Sequence, residues 1–122
     1  MTDNFINNKS LRDISKEMFN LLQQYYQTDD LERILNKLLN YYYVDEIYKI
    51  QRGRFIRWIS RKSLNLTNGA LVMEIKFLDN GIHILCKNNI GKIIQIKFDD
   101  CIIFQKMSFD ENLILTANGL LQ

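Results

Sequence analysis

The sequence predicts an α+β protein: an N-terminal helical hairpin, then a small antiparallel SH3-like or Tudor-like β-barrel, then a short C-terminal helix. Three observations carry that expectation. Apolar residues recur at steps of three and four up to about residue 43, and they alternate at a step of two from 44 to about 107. Turn signals at Asp79-Asn80-Gly81 and Asn89-Ile90-Gly91 divide the alternating region into hairpins. A chain of 122 residues, 47% apolar and 25% charged, suits one domain with a single core, with parts 1–43, 44–107 and 108–122.

Residues 1–9 lack periodicity and read as a frayed or partner-ordered end. Ser10 with Asp13 is a relative of the capping box and opens a helix over 11–26, with Leu11, Ile14, Met18, Leu21, Leu22 and Tyr25 on one face. After a short break, Thr28 or Asp29 is the expected N-cap of a second helix. Asp29, Asp30 and Glu32 suit the positive end of its dipole, and Leu31, Ile34, Leu35, Leu38, Leu39 and Tyr42 form its stripe. The short connection implies an antiparallel pair. Tyr41-Tyr42-Tyr43 should end that helix.

From Val44 the composition turns β-branched and aromatic. Val44 to Ile50 reads as a short strand, broken by Gly53 before Arg54 to Ile59 resumes. In Ala70 to Leu78, the set Leu71, Met73, Ile75 and Phe77 faces the core, with Glu74 and Lys76 outside. A two-residue Asn80-Gly81 turn of type I′ would pair Phe77 with Ile84, Ile75 with Cys86 and Glu74 with Lys87. The next hairpin needs a three-residue loop, Asn89-Ile90-Gly91, to pair Ile84 with Ile96 and Cys86 with Ile94. Asp99-Asp100 makes a corner before a last strand, Cys101 to Gln105. Ser108 with Glu111 is a full capping box for a helix over 109–117 that stops at Asn118-Gly119. Sequential short strands commonly avoid open edges by curling into a barrel.

Net charge is +2 but unevenly spread. Residues 1–46 balance to −3, 47–97 to +8 and 98–122 to −3. The stretch Ile50 to Ser63 alone holds four of the six arginines. Such a distribution suits a basic face for phosphate or attraction between parts of one molecule. Lys49, Arg52, Arg54, Arg57, Trp58, Arg61 and Lys62 are therefore the candidate nucleic-acid contacts: guanidinium forks match phosphate, and an aromatic can stack on a base. Strand alternation splits them between two faces, so at least one arginine is also a candidate for internal pairing, with the acidic helices or with Asp99 and Asp100. Tyr25, Tyr26, Tyr41 and Tyr43 are the candidate protein interface, the competing explanation being core packing with hydroxyls at the rim. Phe77 and Phe98 fall on the core parity, which argues against an open aromatic cage.

Catalytic chemistry finds no constellation. Asp45-Glu46 and Asp99-Asp100 would point to opposite faces of extended chain, and Gly91-Lys92 lacks the first glycine and the Ser/Thr of a phosphate loop. His83 and Cys86 project from opposite faces of one strand, and with Cys101 they are too few for structural zinc. Two cysteines make no disulfide framework. No window approaches the roughly 18 apolar residues of a membrane span, and the start lacks the order of a signal peptide, which predicts an intracellular protein.

The phrases GRFIRWI, DNGIHILCKN and IKFDDCIIFQK, within residues 44–107, resemble short uncharacterised proteins of giant nucleocytoplasmic DNA viruses. The resemblance implies a virion-associated or host-cytoplasmic role in assembly, genome packaging or transcription, and no catalytic residues. The absence of proline and the heavy use of Asn, Ile and Lys suit an AT-rich genome. The function expected is a non-enzymatic interaction module that engages a protein partner or a second copy, without cofactor, metal or small-molecule substrate. Nucleic-acid binding through the basic segment is the alternative.

Overall fold

A computed structural model describes residues 8–121. It contains three helices and a six-stranded antiparallel sheet: α1 (Leu11–Leu22), α2 (Thr28–Lys37), β1 (Tyr41–Val44), β2 (Phe55–Ser60), β3 (Ala70–Leu78), β4 (Gly81–Lys87), β5 (Ile93–Lys97), β6 (Cys101–Lys106) and α3 (Phe109–Leu121). Single 3-10 turns occupy Ile47–Lys49 and Phe98–Asp100. The chain divides into two compact units, one built from residues up to Tyr42 together with those from Met107 onward, the other Tyr43–Lys106.

In the helical unit, both expected capping boxes form. The Asp13 amide donates to Ser10 Oγ at 3.2 Å while the Ser10 amide donates to Asp13 Oδ2 at 2.9 Å. Ser108 and Glu111 exchange the same pair at 3.1 and 2.8 Å. Four otherwise orphaned amides are satisfied in this way, which places both helix starts. The helix ends depart from expectation. α1 stops at Leu22 because the last turn tightens, the Tyr25 amide donating to the Leu22 carbonyl at 3.0 Å. The N-cap of α2 is Gln27, without a side-chain bond, rather than Thr28 or Asp29. α2 closes at Lys37, and Asn40 at φ 69° reverses the chain, so the three tyrosines begin a strand instead of ending a helix. α3 runs through Asn118-Gly119 to Leu121.

α1 packs on both α2 and α3. Its buried residues are Ile14, Met18 and Leu22, joined by Leu31, Ile34 and Leu38 and by Leu115 of α3. Buried Tyr42 donates its hydroxyl to Glu111 Oε2 at 2.8 Å, so one carboxylate both caps α3 and takes a tyrosine.

In the β unit, the sheet order is β1-β6-β2-β3-β4-β5, which leaves β1 and β5 as edges; no pairing closes it into a barrel. The expected strand over 44–50 is replaced by the end of β1 and a 3-10 turn. The second hairpin has the predicted register, Ile84 opposite Ile96 and Cys86 opposite Ile94, with Gly91 at φ 84° closing its loop. The first does not. Asp79 and Asn80 form the turn without positive φ, only Gly81 being left-handed at 128°, so Leu78 pairs with Gly81 and Ile75 with Ile84. A slip of two residues keeps every side chain on its face, which is why hydrophobic parity could not exclude it. It does place Glu74 opposite Leu85 rather than Lys87. A bulge at Met73 then inverts the parity: Ala70 and Val72 are buried, while Leu71 and Met73 are exposed. Phe77 keeps the core parity yet is exposed near the hairpin end.

The interior of this unit is built on Ile56, Trp58, Ala70, Val72, Ile84, Cys86 and Ile103. Fully buried Gln105 accepts from the Gln51 amide and donates to the Lys49 carbonyl, both at 3.0 Å, and so ties the irregular 49–51 segment to β6. Between β2 and β3 the chain folds back along β2. The Thr67 amide reaches the Trp58 carbonyl at 2.9 Å, and Thr67 Oγ1 accepts from the Trp58 amide at 3.1 Å. Gly69, at φ 91°, sits where a β-carbon would run into the Ile56 carbonyl oxygen.

Candidate interaction groove

The basic stretch belongs to the β unit, and its guanidinium groups are used on the chain's own backbone. Arg52 Nε donates to the Met73 carbonyl at 3.1 Å, at the bulge. Arg54 donates to Gln51 Oε1 at 3.2 Å and to the Lys106 carbonyl. Arg57 Nε holds the Thr67 carbonyl at 2.9 Å, and Arg61 Nε the Asp99 carbonyl at 3.2 Å. Four of these five bonds go to backbone carbonyls, that of Met73 lying at the bulge, and the fifth to the side-chain amide oxygen of Gln51. A five-donor fork is suited to that task.

Trp58 is buried and cannot stack on a base. Lys49 lies 2.7 Å from Asp45. Partial burial pulls its ammonium pKa down, but the hydrogen bond and the charge of Asp45 outweigh that and leave it above the ordinary lysine value. Arg52, Arg61 and Lys62 are exposed. Of the seven sequence candidates, Trp58 is thus withdrawn from the surface, and Lys49, Arg52, Arg54, Arg57 and Arg61 each bond an oxygen of their own chain.

The tyrosines scatter as well. Tyr25 and Tyr26 are half-buried just after α1, with burial pushing the Tyr26 hydroxyl pKa upward. Tyr43 tilts against Phe104, ring centroids 6.1 Å apart. Only Tyr41 of the four borders a largely apolar concavity among the described residues.

That concavity lies within the helical unit and has a volume of about 670 Å³. Leu11, Met18 and Phe19 of α1 form one wall, Leu35 of α2 with Leu39 and Tyr41 the other, and Met107 contributes besides. Phe19 and Leu39 remain 46% and 67% exposed, although each borders apolar neighbours. The charged residues on its border are Arg12 and Lys16, with no acid, and neither cation pairs with an acid among the described residues. An apolar floor with a basic rim has the chemistry of a helix-in-groove site. The sequence reading includes Leu39 in a helix stripe but misses Phe19, whose only signal is an aromatic one position off the α1 stripe.

Among the described residues, no group of three or more His, Cys, Asp or Glu could hold a metal, and no helix is long and apolar enough to cross a membrane. His83 bonds Asn80 and Gln95, each at 3.1 Å, on the face opposite Cys86. Both cysteines are free thiols. Burial pushes Cys86 up to about 12 and Cys101 up to about 11, the latter helped by Asp100. At neutral pH neither is a nucleophile.

No protein-family model matches this chain, and no curated protein or solved structure matches it.

Proposed function

We propose that this protein is a non-enzymatic interaction module whose helical unit docks an amphipathic helical segment of a protein partner. The observation that carries the reading is the groove between α1 and the end of α2, where apolar side chains stay exposed beside a rim of positive charge that has no acidic partner among the described residues. The strand order β6-β2-β3-β4-β5, with a 3-10 turn leading into the last strand, supports an SH3-like scaffold for the β unit. The resemblance to giant-virus proteins would place such a module in assembly, packaging or transcription.

A panel of displayed helical peptides, selected on the wild-type protein, tests this. Enriched binders should carry apolar residues at helical spacing beside Asp or Glu, and they should lose at least tenfold in affinity on Leu39→Asp or Phe19→Asp. If every enriched peptide ignores both substitutions, or none is enriched, the groove is not a docking site. Salt-sensitive binding of labelled RNA or DNA that disappears in an Arg52/Arg61/Lys62→Ala variant would favour the nucleic-acid alternative instead.

A further inference from the structure

The helical unit holds a ligand for its own groove. α3 buries Glu111 and Leu115 on one side and presents Phe109, Leu113 and Leu120 on another, at 82%, 57% and 84% exposure. Their spacings of four and seven put them on a single stripe of the helix. The helix carries no basic residue, and its acids are Glu111, buried in the capping box, and Asp110, exposed in the first turn. It is therefore an apolar stripe with a carboxylate, matched to an apolar groove with two cations, none of the three in an ion pair among the described residues. Because α3 turns its other face toward the rest of the unit, the described residues leave the stripe exposed.

We infer that the groove receives α3 of a second copy of this chain, with Phe109, Leu113 and Leu120 entering among Phe19, Leu35 and Leu39, and Asp110 approaching Arg12 or Lys16. This rests on the docking role proposed above and names the occupant. Each contact joins two different surfaces, the groove of one copy and the stripe of another. Each copy therefore offers one of each, and association either closes as a reciprocal pair, each α3 in the other's groove, or continues into a ring or an open chain.

Sedimentation velocity over ~5 to ~500 µM protomer reads this directly, because a self-associating protein shows its order through concentration dependence. Wild type should associate to a dimer or beyond as concentration rises. Leu39→Asp, which keeps the stripe, and Leu113→Asp, which keeps the groove, should each stay monomeric, with circular dichroism matching wild type. Mixed one to one, they should form a complex of two chains and no larger, because one intact groove meets one intact stripe. A monomeric wild type across the range overturns the inference, as does a mixture that stays monomeric, or a Leu39→Asp variant that dimerises by itself, the result a symmetric α3–α3 contact would give. Peptide docking that persists while self-association fails would leave the interaction reading standing and remove only the second copy as occupant.

Discussion

The arginine stretch of the β unit and the groove of the helical unit differ in how their side chains are used. Residues 50–63 are the most conspicuous in the sequence, yet each arginine there donates to a carbonyl or amide oxygen of its own chain. The helical unit is ordinary in composition, yet it leaves Phe19, Leu39, Phe109, Leu113 and Leu120 exposed. A side chain already bonded within the fold has less to offer a partner. An apolar one left in water gains by being covered.

That contrast should hold under perturbation. The largest expected effect concerns the closed interior of the β unit. With Cys86 raised from 9.0 to about 12 by burial, its thiolate population at pH 8 is about a thousandfold below that of an unfolded cysteine. Iodoacetamide at pH 8 should leave Cys86 unmodified until denaturant is added, and rapid native alkylation would show that this interior is open. A folded-state pKa above the unfolded value means that the fold favours the protonated thiol. Its contribution to stability is thus complete below about pH 9 and lost as pH rises through about 12.

Next in size is Gly69→Ala, which should cost about 3 kcal/mol in urea unfolding, because it adds a β-carbon against the Ile56 carbonyl at a left-handed φ. Gln105→Leu should cost about 2–3 kcal/mol by leaving the Gln51 amide and Lys49 carbonyl without their partner. Arg57→Ala should cost about 1–2 kcal/mol through the loss of its bond to Thr67. A stability change near zero for Arg57→Ala would return that arginine to the pool of candidate phosphate ligands. At the small end, Leu39→Asp and Leu113→Asp should shift stability by no more than about 0.5 kcal/mol while they abolish association. Large destabilisation by either would mean that these residues serve the fold.

Local chemistry made much of the fold legible. Two capping boxes located α1 and α3, and the loop length with Gly91 specified the β4–β5 register. What stayed hidden depended on tertiary choice. A two-residue slip at Asp79-Asn80 preserves parity, so pattern alone could not reject it. The bulge at Met73 inverts parity without any glycine to announce it. Gln105 looks like an ordinary strand residue until its amide is found spanning the 49–51 segment. The helical reading of Tyr41-Tyr42-Tyr43 failed because Asn40 was not seen as a left-handed stop. For the candidate site, charge density pointed to residues 50–63, but a sequence cannot show whether a guanidinium already holds a carbonyl. The same limit hid the groove, since periodicity identifies an apolar stripe and says nothing of which part stays uncovered.

The account turns on which unit meets a partner, and a dilution series of amide chemical shifts on the uniformly ¹⁵N-labelled protein reads that residue by residue. Shifts that move with concentration should cluster in 11–20, 35–41 and 109–121 and leave 50–63 unchanged. Movement confined to 50–63, or none at all at the highest concentration, would contradict it.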